Sequence, residues 1–165
     1  MNRHPPHVYV IPEDDADRQL AEGFVEHFDV DERRIKVMPP ARGWPNVLKL
    51  FEDKYIRTMQ NNPHTHVVML VDFDGCVPER RGKFEVAIPE DVKARVFVIG
   101  SLDDPETLKR MLKKSLSQIG TLLAGDCAAD TVGHWNHEQL QHNDSERQGL
   151  VRTIKSFLFK STNLF

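Results

Sequence analysis

Cysteine is nearly missing from this chain: Cys76 and Cys127 are its only two in 165 residues. Two thiols cannot build a disulfide framework, so reduced cysteines and a cytoplasmic setting are expected. Long hydrophobic runs are missing too. No stretch approaches the roughly 20 apolar residues that cross a bilayer, and the opening Met1-Asn2-Arg3-His4-Pro5-Pro6-His7 has no apolar signal core, so no membrane association is expected. Nor is there a surplus of positive charge. With 22 Lys and Arg against 25 Asp and Glu, the formal net charge is -3, which excludes a protein that coats nucleic acid by charge alone. An enzyme acting on nucleic acid remains compatible with that balance, because bound cations and local basic patches can offset an acidic site. Internal repeats and low-complexity segments are absent as well.

What is present is an ordinary globular composition, 39% hydrophobic and 28% charged, long enough for one substantial core. Val8 to Ile11, Ile35 to Met38, His66 to Val71 and Arg95 to Ile99 are short apolar runs that read as buried strands. Between them, Leu20, Phe24 and Phe28 recur at helical spacing from Asp17 onward, and Val47, Leu48, Phe51, Tyr55 and Met59 form a second apolar face. Pro39 to Pro45 reads as a loop, and so does Gly75 to Gly82, with its Pro78 and two glycines. After the fourth strand, Asp104 as N-cap and Pro105 in the first turn open a helix whose apolar side runs through Leu108, Met111, Leu112, Leu116 and Ile119. The pattern weakens beyond Gly125 and returns over Gln148 to Phe159. This alternation predicts an α/β fold with a four-stranded, mainly parallel, Rossmann-like sheet flanked by helices, spanning 1–125, and a C-terminal helical extension over 126–165 packed on the same domain.

Two acidic clusters follow the strands, Glu13 to Asp17 after the first and Asp72-Phe73-Asp74 after the third. Parallel strands put whatever follows them along one sheet edge, and the crevice outside the carboxyl ends is the usual ligand site of open α/β sheets. Carboxylates gathered there repel one another and lose hydration unless a cation neutralises them. Oxygen donors without nearby Cys or paired His favour Mg2+ or Mn2+ over zinc. Both Asp72 and Asp74 can face the crevice only if the backbone turns after the strand, which Gly75 makes easy.

A glutamate after the first strand, an Asp-x-Asp after the third and the β-α-β-α-β-α-β order resemble a Toprim domain, the metal-binding module of topoisomerases, bacterial primases, recombination-mediator proteins and several nucleases. The resemblance covers roughly Val8 to Ile119 and is nearest to small stand-alone Toprim-like proteins related to the overcoming-lysogenization-defect nucleases. In the nuclease branch the glutamate is often followed by Gly-x-Thr and a second acid. Here Glu13-Asp14-Asp15-Ala16-Asp17 keeps acids at both ends but has Asp14 where the glycine would be. The resemblance implies divalent-metal-dependent hydrolysis of phosphodiester bonds in nucleic acid, with Glu13, Asp72 and Asp74 catalytic, and Asp17 joining them as a metal ligand. It implies Glu106 as a candidate second-metal ligand and defence against mobile elements as a common setting, while the compact size leaves room for a partner protein or self-association to complete a nucleic-acid groove. Tyr9 in a strand and Tyr55 in a helix are unsuited to covalent strand transfer, so hydrolysis is expected rather than strand passage.

Arg42, Trp44, Arg80, Arg81 and Lys83 fall by connectivity near the same sheet edge, where the cations can clamp phosphate and Trp44 can stack on a base. Lys109, Arg110, Lys113 and Lys114 form a basic stripe that reads as a solvated helix face. Three other readings stay open. A non-catalytic nucleic-acid-binding or regulatory module with a degenerate metal site fits the missing glycine after Glu13. Asp72-Phe73-Asp74-Gly75 also resembles the first motif of haloacid-dehalogenase-like phosphatases, although two strands precede it here and Glu13 would have no role. Cys127, His134, His137 and His142 invite a zinc reading at an unfamiliar spacing, against a polar segment anchored by Trp135.

Overall fold

The computed structural model describes residues 5–161. Residues 1–4 and 162–165, the outer ends of the segments expected at 1–125 and 126–165, lie outside the described residues. The strands are β1 (His7–Pro12), β2 (Ile35–Val37), β3 (Thr65–Leu70) and β4 (Val96–Ile99). They pair in parallel in the order β2-β1-β3-β4, with Val10 opposite Val37 on one side and Val68 on the other. In chain order the helices are α1 (Asp15–Val25), α2 (Trp44–Leu50), α3 (Ile56–Asn61), α4 (Val77–Ala87), α5 (Pro105–Leu112), α6 (Leu116–Ala129) and α7 (Asp144–Leu158).

The strands are apolar on both faces because both faces are covered. Val8, Val10, Val68, Leu70, Phe97 and Ile99 point into one core with α1, α5, α6 and α7. Their neighbours in sequence, including Ile11, Val67, Met69, Val71, Val96 and Val98, point into a second core with α2, α3 and α4. The α/β sheet is therefore the middle of three layers. From β1 the chain goes outward to β2, then returns past β1 to β3 and β4. That reversal makes the gap between β1 and β3 the topological switch point of the sheet.

The seating of α1 depends on glycine. A Cβ on Gly120 of α6 would collide with backbone atoms of Leu20 and Phe24, and one on Gly23 would meet the backbone of Ser117. The two helices thus touch backbone to backbone, and the Thr121 hydroxyl donates across the contact to the Gly23 carbonyl at 2.7 Å. At the far edge of the sheet, side chains occupy the outward groups of β4. The Val98 N–H donates to Glu146 Oε2 (3.2 Å) and Arg81 Nη1 to the Val98 carbonyl (2.7 Å). Asn143 accepts from the Gly100 N–H (3.2 Å) and donates to its carbonyl (2.9 Å).

Several helices differ from their expected bounds. Gly75 to Gly82 is largely helical: α4 begins at Val77 with Pro78 in its first turn, where a missing N–H costs nothing. Only Phe84 of α4 is buried, so the helix leaves almost no periodic signal. The single helix expected from Asp104 to Ile119 is two helices. It breaks at Lys113, which adopts a left-handed φ of 55°, and restarts from a Ser115/Gln118 capping box. α6 then runs on through Gly125 to Ala129. α1 ends at Val25, leaving Phe28 83% exposed and stacked on His27. Pro45 lies inside the first turn of α2, which passes through a π-helical turn at Phe51–Tyr55 into α3. No helix among the described residues is long and apolar enough to cross a membrane.

Adding one methyl group at the α1–α6 contact forces backbone apart. Gly120→Ala is expected to lower stability by about 1–3 kcal/mol, read as a lower denaturant midpoint at unchanged m-value. An unshifted midpoint would show that the two backbones do not touch.

Candidate metal centre

Glu13 extends β1 by one residue, its N–H donating to the Leu70 carbonyl of β3 at 2.9 Å. Its side chain reaches across the switch point, where Oε2 accepts the Asp72 N–H at 2.6 Å. From the other side, the N–H groups of Arg42 and Gly43 donate to the Glu13 carbonyl at 2.7 and 3.2 Å. Glu13 is thereby fixed by two separate stretches of chain, the end of β3 and the Arg42–Gly43 loop. The next residue, Asp14, caps α1 by accepting the Asp17 N–H at 2.9 Å. With Asp14 as the cap, Asp17 falls in the first turn of the helix, where it is fully buried. Asp72 follows Val71 and, by strand alternation, points to the α1 face, whereas Phe73 is buried in the core on the opposite face.

Carboxylate oxygens of Glu13, Asp17 and Asp72 lie within 4.8 Å of one another. Both oxygens of Asp17 and Oδ1 of Asp72 are buried and face no donor group. When one carboxyl of the pair is protonated, it can donate to the other. Burial pushes the Asp17 pKa well above the usual range, and the charge of Asp72 and the hydrogen bond with it add to the rise. Burial likewise raises Asp72, to about 8, against the lowering effect of the Asp17 hydrogen bond; the charges of Glu13 and Asp14 push the same way as burial. Glu13 is raised by its own burial, against the opposing bond from the Asp72 N–H. Three carboxylates, two of them lacking donors, form a hard-oxygen donor set that can hold a metal ion, and such an ion would neutralise what the protein leaves uncompensated.

The other expected site residues divide into a rim and a remote group. Asp74 and Gly75 both take positive φ, 49° and 75°, in a turn whose N–H groups donate to the carbonyls of Asp103 and Leu102. That turn carries Asp74 outward, outside the three-carboxylate group, where Arg80 pairs with it at 3.2 Å. The same Arg80 nitrogen donates to the Asp72 carbonyl at 2.7 Å, and its guanidinium lies 4.6 Å over the Trp44 ring. Trp44, Arg80 and Asp74 therefore form one wall beside the carboxylates. Arg42 is exposed on the loop that clasps Glu13. Arg81, one residue on along α4, turns away to Val98, to Glu146 at 3.4 Å and over Phe73, and belongs to the β4 edge rather than the crevice. Lys83 is exposed on α4, and Glu106 is exposed in the first turn of α5, outside the carboxylate group.

The zinc reading finds no cluster. Among the described residues, Glu13, Asp17 and Asp72 are the only three potential ligands drawn together. Burial pushes the Cys127 thiol up to about 12, His134 is paired with Asp126 at 3.0 Å, and His142 Nε2 is bonded to the Gly100 carbonyl. Trp135 anchors that segment through its indole N–H, which donates to the Leu123 carbonyl. Two features escaped the sequence. Asp14 has a capping role that only the turn geometry reveals. Ser101 lies beside the site at the end of β4, its carbonyl taking the Phe73 N–H and its hydroxyl buried without a partner; the small polar residue after Gly100 is the only trace of it in the sequence. Compared with known protein families, curated proteins and solved structures, the chain gives no match.

Raised carboxyl pKa values make metal-free stability depend on pH. An unfolded aspartate titrates near about 3.9, so above that the folded state holds protons that the unfolded state has released. The folded state is therefore favoured most below pH about 4 and loses that advantage as pH rises through the Asp72 value of about 8. With chelator present, denaturant titrations are expected to show stability falling across this window. Asp17→Asn is expected to flatten the fall and to stabilise the protein at pH 8 by roughly 1–3 kcal/mol. An identical pH profile in that variant would remove the buried pair as its cause.

Proposed function

We propose that this chain is a Toprim-like nuclease that hydrolyses phosphodiester bonds of nucleic acid with the help of Mg2+ or Mn2+. The observation that carries the reading is the convergence of Glu13, Asp17 and Asp72 with both Asp17 oxygens unsatisfied. Acids that merely cap helices or solubilise turns find donors or water, as Asp14 and Asp15 do here. Support also comes from the position of Glu13 and Asp72 just past the ends of the two central strands, either side of the switch point.

In this reading Glu13, Asp17 and Asp72 hold the ion, and Asp74 sits one turn outside them as an additional or water-mediated acceptor. When bound, such an ion offsets charge on phosphate oxygens and yields hydroxide from water near neutral pH. Arg80 faces the same crevice with its guanidinium braced by Trp44 and Asp74, a geometry suited to a phosphate oxygen. Trp44, a partly buried residue in the same wall, is the aromatic on which a base would stack. Arg42 adds an exposed cation from the opposite loop.

Titration calorimetry with MnCl2 is expected to give a binding heat in wild-type protein that disappears in Asp17→Asn. Plasmid and short single-stranded substrates are expected to be cut in Mg2+ or Mn2+, with Asp72→Asn slower by at least about 100-fold. Equal cutting by both proteins would defeat the catalytic assignment. Nucleic-acid binding without cutting would leave a non-catalytic module built on the same fold.

A further inference from the structure

A second charged feature lies at the far end of α5. Lys109, Arg110, Lys113 and Lys114 line an open groove of ≈ 490 Å³ between the end of α5 and the start of α6, together with Ser115 and Gln118. All four cations are exposed, and none of them forms an ion pair among the described residues. One acid, Glu106, lines the same groove, and Glu26 lies on the neighbouring surface, where Ser117 donates to it. The carboxyl end of a helix attracts positive charge through a dipole worth about half an elementary charge. Four unpaired cations exceed that several-fold. Lys109 and Lys113, four positions apart, also repel one another. In a chain with a net charge of -3, such a cluster is not explained by the overall balance.

We infer that this groove grips the phosphate backbone of the nucleic acid whose scissile bond lies at the carboxylates. The inference rests on the nuclease reading for its choice of polyanion and goes beyond it by assigning a second contact surface. Connectivity gives the link. The loop from Ser101 to Asp104 that leads into α5 is hydrogen-bonded to Phe73, Asp74 and Gly75, so α5 starts beside the acidic site and carries the chain away from it. Its 8 residues span about 12 Å. That is the rise of three to four phosphates along one strand of B-form DNA, at about 3.4 Å each. A strand seated at the carboxylates and following α5 therefore reaches Lys113 and Lys114 a few nucleotides from the reacting phosphate. Glu106, in the first turn of α5, lines the groove at the end nearer the carboxylates and disfavours a phosphate there, so the contact falls to the cations beyond it.

The left-handed backbone of Lys113, φ 55°, makes a clean test possible. Glycine prefers this conformation, so Lys113→Gly removes the charge while relieving the backbone, and the variant folds at least as well as wild type. Binding of a fluorescein-labelled 20-nucleotide single strand, and of the matching duplex, is measured by anisotropy in Ca2+ across a range of KCl concentrations. Lys113→Gly combined with Lys114→Gln is expected to weaken binding by about tenfold and to reduce the slope of log K against log salt by about 2, one for each phosphate that the variant no longer neutralises. Its thermal midpoint should not fall, and its Mn2+ binding heat should equal that of wild type.

Unchanged oligonucleotide affinity and salt slope in the double variant overturn the inference. So does binding of phosphatidylserine vesicles that depends on these lysines when the oligonucleotide does not bind. The two proposals fail separately. If Mn2+ is bound and substrate is cut while the double variant binds like wild type, the groove assignment falls and the nuclease reading stands. If wild type takes up no Mn2+ and cuts nothing while the double variant still loses oligonucleotide affinity, the groove stands and the nuclease reading falls.

Discussion

The approach of Asp17 to Asp72 is the constraint around which the structure is arranged. Two buried carboxyls that face no donor are unfavourable in an apolar setting. They are held there by interactions that involve neither side chain. Asp14 caps the helix that carries Asp17, Glu13 takes the N–H of Asp72, and α6 presses α1 against the sheet through Gly23 and Gly120. One device is local and two join distant parts of the chain, and together they impose a juxtaposition that the carboxyls would not choose. A donor set preorganised in this way could hold a cation with little rearrangement of its ligands.

Much of the fold was legible in the chain because parallel strands buried on both faces are written as continuous apolar runs. His66 to Val71 needed no context, and the other three strands fell within a residue or two of their expected places. The helices depart from their expected bounds for two opposite reasons, punctuation that packing overrides and apolar spacing that runs across a real break. Pro78 and Gly82 suggested a loop, yet proline is harmless in a first turn, and a Cβ at Gly82 would meet nothing within 4 Å, so Gly82 marks no close approach. Conversely, the break at Lys113 carries no glycine, although Ser115 followed by Gln118 was a readable start signal for a new helix.

The site was legible at the level of which strand ends would meet. Glu13 and Asp72 follow from sheet topology alone. Asp17 needed the helix phase set by Asp14; Gly75 announced a turn, but the outward position of Asp74 needed a left-handed aspartate before it, which the sequence does not announce. Adjacent residues on a helix point about 100° apart, which is why Arg80 and Arg81, alike on paper, serve different neighbours. Connectivity placed both near the crevice, but only packing could tell them apart.

The side chains that occupy the outward groups of β4 affect how the molecule can associate. An open strand invites another chain to add on through its backbone, the route to filaments and aggregates. On this border Arg81, Asn143 and Glu146 already fill the hydrogen-bonding sites of Val98 and Gly100. The opposite border is β2, three residues long with a lysine at its centre. One side is thus closed by its own polar contacts and the other offers too short a template, so further copies have little main chain to polymerise on.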